Sequence, residues 1–280
     1  MTTLLAWVAA DQRGPASIRI AADSRISWSS PNGTVLRNWD FGRKIFASHR
    51  HPDVLGYCGD VLFPTQTLGQ IIELIDRDAF FPAGAGPGDR VQLIVAALER
   101  AANGYPAEEA RDFTIVHCTR VGEYMGAEFE VSAVAFSAGK AGSVSRVVVP
   151  SSSGVVAVLG SGANQYKSHL ARWQASDVRG TSRAMFSSFC EFLSAQSDPH
   201  TGGPPQLAGL LRKGPAKSFG TIWNGNQYLM GMEMDGSWGS SEVDCYNSLF
   251  EICDPTTLQR RDGAQPQPSP FRSEVTDHRT

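Results

Sequence analysis

Apolar residues at the start of the chain come in short runs that turn residues separate. The run Thr2–Ala9 is followed by the turn Asp11–Pro15, after which Ser17–Asp23 resumes with Ile and Ala. Runs of this length between turn residues predict two strands that pair as a hairpin. Val54–Cys58 is another apolar run, and it predicts a further buried strand.

Helical periodicity begins after residue 64 and returns three times further along the chain. A helix is predicted over Thr65–Arg77, with an apolar face formed by Leu68, Ile71, Ile72 and Ile75. A second helix begins at Asp89 and repeats the same apolar spacing. Two more helices are predicted over Ala163–Trp173 and Val178–Ala195.

The segments between and after the helix pairs have the composition of strands. Four strands are predicted at Phe113–Cys118, Phe129–Phe136, Ser145–Val149 and Gly154–Leu159. The closing strands Lys217–Trp223 and Gln227–Met234 flank Asn224-Gly225-Asn226, which is a strong hairpin turn. Strands, two helices, strands, two helices and strands, in this order, favour an α+β layered fold over alternating βαβ units.

The composition changes near the end of the chain. After Leu258 the residues are mainly Arg, Gln, Pro and Ser, and apolar residues become rare. Such a segment cannot bury enough apolar surface to offset the entropy of ordering it. We therefore predict one domain over residues 1–257 and a disordered tail over residues 258–280.

Composition and charge exclude several classes of protein. Of the 280 residues, 41 % are apolar and 19 % are charged, which is usual for a soluble globular protein. A net charge of −3 gives no electrostatic reason to expect nucleic acid or an anionic membrane as a partner. The five cysteines are widely spaced and form no CxxC pair, so we expect no disulfide framework and no zinc site. We also expect no cofactor. No signal peptide is recognisable and no apolar stretch approaches the roughly 20 residues that span a bilayer, so we expect a cytoplasmic protein.

The residue that follows the initiator methionine is a threonine. A small second residue allows Met1 to be removed, which would leave Thr2 with a free α-amine beside its own hydroxyl. An N-terminal Thr is one of the few residues that can use its own amine as a general base. Because a Thr at this position is common, the feature gains weight only from residues further along the chain.

Several other segments carry polar or glycine residues where a strand ends or a helix begins. They are Asp23-Ser24-Arg25, Lys44-Ile45, Gly56-Tyr57-Cys58-Gly59, Gly160-Ser161-Gly162 and the run from Asp198 to Gly203. Taken singly, each segment is more simply explained as a turn, a helix start or a surface residue. Their order along the chain, together with Thr2, favours a catalytic interpretation.

This ordered set resembles the motifs of the proteasome β-subunit family, which includes the bacterial peptidase HslV. These are threonine peptidases of the N-terminal-nucleophile (Ntn) hydrolase superfamily, and the resemblance extends from about Thr2 to Met234. It implies an α+β fold in the form of a four-layer αββα sandwich. The family's Ser in the last loop is Thr201 here, and Asp60 follows Gly59 where a small residue is usual. The chain therefore looks like a divergent bacterial branch.

The resemblance assigns roles to individual residues. Thr2 would be the nucleophile, Lys44 would stabilise its alkoxide, and Asp23 would hold Lys44 in place. The Gly59 N–H would point at the developing oxyanion, where glycine allows a close backbone approach. The residues that would orient the amine and a water are Ser161, Asp198 and Thr201.

By the same alignment, Tyr57 and Cys58 would line the pocket for the side chain that precedes the cleaved bond. Neither residue carries a charge, so we expect that pocket to take an apolar side chain.

The implied activity is hydrolysis of peptide bonds by Thr2 inside a ring-like homo-oligomer, with a peptide or an unfolded protein as substrate. Family members often work with an ATPase unfoldase, so such a partner stays open. Two other functions also stay open. One is a small-molecule amidase or acylase with the same chemistry, and the other is a non-catalytic assembly subunit. The presence of Thr2, Asp23 and Lys44 together argues against the second.

Overall fold

The computed structural model describes residues 2–30, 32–137, 139–235 and 243–271. Met1, whose removal the sequence analysis expects, lies outside the described residues, and so does the end of the predicted tail, residues 272–280. Among the described helices, none is both long and apolar enough to cross a membrane.

The described elements are short strands and four α-helices. The strands are β1 (Thr3–Asp11), β2 (Gly14–Ala22), β3 (Ile26–Ser29), β4 (Val35–Trp39), β5 (Ile45–Ala47), β6 (Asp53–Gly59), β7 (Phe113–Val121), β8 (Glu128–Ser137), β9 (Lys140–Ala141), β10 (Ser145–Val147), β11 (Gly154–Gly160), β12 (Gln206–Leu211), β13 (Lys217–Trp223), β14 (Asn226–Leu229), β15 (Met232–Glu233), β16 (Cys245–Tyr246) and β17 (Ile252–Cys253). The helices are α1 (Leu62–Asp76), α2 (Pro87–Ala102), α3 (Ala163–Gln174) and α4 (Ser182–Ala195).

The first sheet places the start of the chain in its interior. Its strand order is β11-β1-β2-β12-β13-β14-β15, and β16 and β17 extend it from β13. Strand β1 is antiparallel to both of its neighbours, with Thr3 opposite Gly160 on β11 and Leu4 opposite Ala22 on β2. The backbone that follows Thr2 is therefore held from two sides.

The second large sheet has the order β10-β8-β7-β6-β5, with β9 beside β8, and the strand pairs are antiparallel. Within the described part of the chain, a third sheet consists of β3 and β4. It is a hairpin between β2 and β5, and three of its large apolar side chains are exposed, namely Trp28, Leu36 and Trp39.

Buried apolar side chains form three clusters. One joins residues of the two large sheets, such as Leu4 of β1 and Val116 of β7. A second joins β6 and β7 to α1 and α2, where Ile72 is a member. The third joins the first sheet to α4 through Trp7 and Phe186. Strand β6 contributes to both of the first two clusters, because successive residues of a strand point to opposite faces.

The predicted four-layer αββα sandwich is wrong. The structure is mostly antiparallel β-sheet, with 35 % strand, 24 % helix and four helices over three sheets among the described residues. The sequence predicts a polar connection over residues 27–42, but most of this segment forms the hairpin of β3 and β4. The sequence pattern does not predict β9, β16 or β17, because a strand of two residues is too short to show a period-two pattern. The single strand predicted over Gln227–Met234 is two antiparallel strands, β14 and β15.

The individual helices and the first hairpin are confirmed, with shifted ends. Strands β1 and β2 pair as predicted. Helix α4 begins at Ser182 and not at Val178, because the Thr181 side chain accepts a hydrogen bond from the Ala184 N–H and caps the helix there. Helix α1 begins at Leu62 and not at Thr65.

Residues 267–271 contact helices α3 and α4. The Arg183 guanidinium of α4 donates to the carbonyl oxygens of Gln267 and Pro268. The rings of Trp173 and Phe271 meet edge to face, with centroids 5.0 Å apart. The division of the chain at residue 257 stays a prediction.

Candidate active site

Thr2 directly precedes β1 and is fully buried. Its carbonyl oxygen accepts a hydrogen bond of 3.0 Å from the Ser161 N–H, but its hydroxyl has no partner. Thr2 lines a pocket of about 450 Å³ between the ends of the two large sheets. An unpaired buried hydroxyl costs about 1–3 kcal/mol. Stability therefore does not explain a threonine at this position.

Asp23 and Lys44 form an ion pair with no solvent exposure, and Nζ lies 2.9 Å from Oδ1. The same Oδ1 accepts the Thr3 N–H at 3.0 Å. The other oxygen, Oδ2, accepts the N–H groups of Arg25 and Gly202, each at 3.1 Å. Four donors thus converge on one buried carboxylate, and one of them is the backbone N–H next to Thr2.

Lys44 has two partners close to the start of β1. Besides the bond to Asp23, its ammonium donates to the Arg25 carbonyl oxygen at 2.6 Å. Burial lowers the pKa of Lys44, and the charge of Asp23 offsets part of that effect. Because an ammonium carries three N–H donors, these two bonds leave one donor for a further acceptor.

Gln206, to which the sequence assigns no role, holds the backbone of both residues of this ion pair. Its Oε1 accepts the Lys44 N–H at 2.9 Å, and its Nε2 donates to the Asp23 carbonyl oxygen at 3.2 Å and to the Gly42 carbonyl oxygen at 2.7 Å. The residue is fully buried at the start of β12. In the sequence, the one indication of a buried role for Gln206 is its amide side chain directly before the apolar run that begins at Leu207.

Ser161, Asp198 and Thr201 form the hydroxyl–carboxylate group that the resemblance implied. Ser161 Oγ donates to Asp198 Oδ2 at 2.6 Å, and Thr201 Oγ1 donates to the same oxygen at 2.8 Å. Thr201 is also hydrogen-bonded to the Thr3 hydroxyl at 2.8 Å, and Thr3 had been given no role. Burial alone would raise the pKa of Asp198, but the hydrogen bonds from Ser161 and Thr201 hold that pKa below its usual value.

Two glycines allow the backbone to close around the site. Gly59 has a φ of +108°, and a Cβ there would lie 2.5 Å from the Asp112 carbonyl oxygen. Gly160 has a φ of +97°, and a Cβ there would lie 1.6 Å from the Thr2 carbonyl oxygen. Both conformations are ones that side chains other than glycine rarely adopt. Gly59 and Gly160 both line the pocket.

Cys58 lies in the pocket, but Tyr57 does not. Burial raises the pKa of the Cys58 thiol to about 11. The Tyr57 ring packs in the cluster with α1 and α2, and its hydroxyl is hydrogen-bonded to Thr65 Oγ1 at 2.6 Å. Neighbouring residues of β6 face opposite sides of the sheet, so only one of this pair can face Thr2.

The structure thus brings most of the candidate residues together. Thr2, Cys58, Gly59 and Ser161 line one pocket. The remaining candidates connect to the start of β1 by hydrogen bonds and are Asp23, Lys44, Asp198 and Thr201. The described residues contain no group of three or more His, Cys, Asp or Glu side chains that could hold a metal ion.

Comparison with known proteins gives no family for the chain. No family model matches it, and no curated protein matches it. The chain is similar to the solved structure of Anbu (ancestral β-subunit) from Yersinia bercovieri, at 14 % identity and a TM-score of 0.47, over 81 % of this chain and 87 % of that one. It is also similar to the Anbu (Gly-1) mutant from Hyphomicrobium sp. strain MC1, at 11 % identity and a TM-score of 0.49, over 78 % of this chain and 86 % of that one.

These findings correct the family that the motifs suggested. The assignment to the proteasome β-subunit and HslV family is wrong, because the structural neighbours are Anbu proteins, a proteasome-like but distinct family. At such low identity and TM-scores below 0.5, neither neighbour bears on what this chain does. The function has to be argued from the site itself.

Proposed function

We propose that the chain is a hydrolase of amide bonds, and of peptide bonds in particular, that uses Thr2 as its nucleophile after Met1 is removed. The observation that carries the proposal is the Thr2 hydroxyl, which is buried, has no partner and borders a pocket of about 450 Å³. The buried Asp23–Lys44 pair, joined to the next residue of β1, supports it.

In this proposal the Thr2 α-amine removes the proton of the Thr2 hydroxyl, directly or through a water. A free α-amine has a pKa of about 7.7–8.0, which suits a general base near neutral pH. The remaining N–H donor of Lys44 stabilises the alkoxide that forms. Buried charge acts strongly there because the pair is shielded from water.

The alkoxide then attacks the carbonyl carbon of the substrate, and the Gly59 N–H is the candidate donor to the oxyanion. Collapse of the tetrahedral intermediate breaks the C–N bond, and the α-amine returns its proton to the leaving amine. Water then hydrolyses the resulting ester of Thr2. Ser161, Asp198 and Thr201 orient the amine and this water through their shared hydrogen bonds.

We also propose that the active form is a homo-oligomer. Support comes from the β3–β4 hairpin, which exposes 54 % of Trp28, 65 % of Leu36 and 47 % of Trp39. An isolated two-stranded sheet is only marginally stable in water, and exposed apolar patches commonly mark protein interfaces. Light scattering of the wild type at micromolar concentration tests this, and a monomer would contradict it.

Intact-protein mass spectrometry tests the nucleophile. Wild type, Thr2→Ala and Thr256→Ala are incubated with a threonine-directed β-lactone or epoxyketone. Thr256 is an exposed threonine and serves as the matched control. We expect loss of Met1 and one adduct on wild type and Thr256→Ala, and no adduct on Thr2→Ala. Equal labelling of Thr2→Ala, or Met1 loss without any adduct, would refute the proposal.

Substrate assays separate a peptidase from an amidase. We expect wild type to cleave unfolded casein and internally quenched peptides, and Thr2→Ala to cleave neither. Cleavage of small acyl amides alone, with no turnover of peptides of any length, would favour the amidase alternative.

A further inference from the structure

Three small side chains lie in one row across the second sheet, opposite Thr2. Cys58 on β6 pairs with Thr114 on β7, and Thr114 pairs with Ala135 on β8. All three line the same pocket as Thr2. Residues directly opposite each other on neighbouring strands share a face of the sheet. The row is therefore a continuous floor that begins at the nucleophile and runs across three strands.

This face of β6 is the one that packs on the first sheet. A Cβ at Gly56 would lie 2.7 Å from Leu4 Cδ1 and 2.8 Å from Ile20 Cδ1, which are side chains of β1 and β2. Cys58 is two residues further along the strand and so points the same way, towards the start of β1. The row therefore lies on the same face of the second sheet that packs on the first sheet, next to that contact, where the face borders the pocket.

The floor becomes more accessible with distance from Thr2. Cys58 is 6 % exposed, Thr114 is half-buried and Ala135 is exposed. The groove is supported from behind by Phe113 and Phe136, whose rings stack with centroids 4.6 Å apart in the cluster with α1 and α2.

One wall of the groove is negatively charged. Asp112 and Ser137 line the pocket beyond the row, and Ser137 Oγ donates to Asp112 Oδ1 at 2.8 Å. No lysine, arginine or histidine is among the described residues that line the pocket. An acidic side chain that entered the groove would meet a like charge and no counter-ion.

We propose that this groove selects the substrate residue beside the cleaved bond and takes uncharged side chains of small to medium size, from alanine to leucine. The inference rests on the proposed function of Thr2 and adds its substrate class. Thr114 and Ala135 set the size limit, since larger residues in this row would fill the space. Asp112 disfavours aspartate and glutamate at the same substrate position.

The test is a cleavage profile on a peptide library, read by mass spectrometry on both sides of the cut, with β-lactone labelling of Thr2 in parallel. The variants are Ala135→Phe and Asp112→Asn. The matched controls are Ala175→Phe and Asp177→Asn, which make the same changes at exposed positions near the end of α3. Asn keeps the oxygen that accepts the Ser137 hydroxyl, so the wall keeps its shape.

We expect Ala135→Phe to lower kcat/KM for leucine relative to alanine about tenfold at one flanking position. We expect Asp112→Asn to raise the use of glutamate severalfold at that same position, while both controls keep the wild-type profile. Labelled variants with an unchanged profile would overturn the groove assignment and leave the nucleophile standing. Absence of labelling on wild type would instead overturn the proposed function.

Discussion

Replacing Lys44 with methionine would remove one charge of a pair that has no contact with water. Asp23 would keep the N–H groups of Thr3, Arg25 and Gly202 as donors, but it would lose its only counter-charge at hydrogen-bond distance among the described residues. Breaking a buried ion pair from one side costs about 3–5 kcal/mol. Three remaining backbone donors place the expected loss at the lower end, about 3 kcal/mol.

Urea unfolding followed by circular dichroism measures this loss. With an m-value of about 3 kcal/mol per M, the midpoint should fall by about 1 M. Lys167→Met is the matched control, because Lys167 is exposed on α3, and we expect it to leave the midpoint unchanged. A loss of less than about 1 kcal/mol would mean that water reaches the pair, and would refute the account of a shielded charge at this site.

The pH dependence reports on the burial of the Lys44 charge, which opposes its attraction to Asp23. Because burial lowers the pKa of Lys44, the native state binds this proton less tightly than the unfolded state does. The contribution of Lys44 to stability is therefore present above its ordinary pKa of 10.5 and is lost as pH falls through the lowered value. The stability gap between wild type and Lys44→Met should widen as pH rises through that window.

Three further predictions concern the surroundings of the pocket. Ser161→Ala removes a donor that lowers the pKa of Asp198, so the stabilisation above pH 3.8 shrinks and the acid-unfolding midpoint should move to higher pH; an unchanged acid titration by circular dichroism would contradict this. Gly160→Ala should abolish β-lactone labelling and lower the melting temperature, since its Cβ would lie 1.6 Å from the Thr2 carbonyl oxygen; calorimetry and labelling that match wild type would disprove the close approach. Burial raises the pKa of Cys118 to about 12, so iodoacetamide at pH 8 should modify this thiol only after unfolding, and peptide mapping would expose any native-state reaction.

The parts of the fold that follow from local patterns could be predicted from the sequence. The β1–β2 hairpin depends on two apolar runs and the turn at Asp11–Pro15, all close in the chain. Its pairing carries Asp23 to the start of β1 without any information from the rest of the protein. The same holds for α1 and α2, whose apolar stripes have helical spacing.

The orientation of Tyr57 could not be predicted, because β6 is covered on both faces. Six of its seven residues, from Asp53 to Cys58, are buried, so buried and exposed positions do not alternate along it. A strand of this kind gives no indication of which side chain faces which layer. Only the packing partners, Leu4 on one side and Thr65 on the other, decide that Cys58 faces Thr2.

The role of Gln206 was hidden for a different reason. Its partners Lys44 and Asp23 are 162 and 183 residues away in the sequence. A buried amide in a strand signals that partners exist, since buried polar groups are almost always hydrogen-bonded. It does not say which partners, because long-range pairing leaves no trace in local composition.

The bond between Thr3 and Thr201 has a consequence for the timing of synthesis. These hydroxyls belong to residues 198 positions apart. At roughly 5–20 residues per second, the ribosome adds Thr201 about 10–40 s after Thr3. Until then the nascent chain lacks Asp198 and Thr201, and Gln206 of β12 follows later still. Thr2 therefore first lies in an incomplete setting. The Thr2 hydroxyl thus gains its hydrogen-bonded surroundings only after most of the polypeptide has been made. If Thr2 is the nucleophile proposed above, the chain would become active only at that late stage of synthesis.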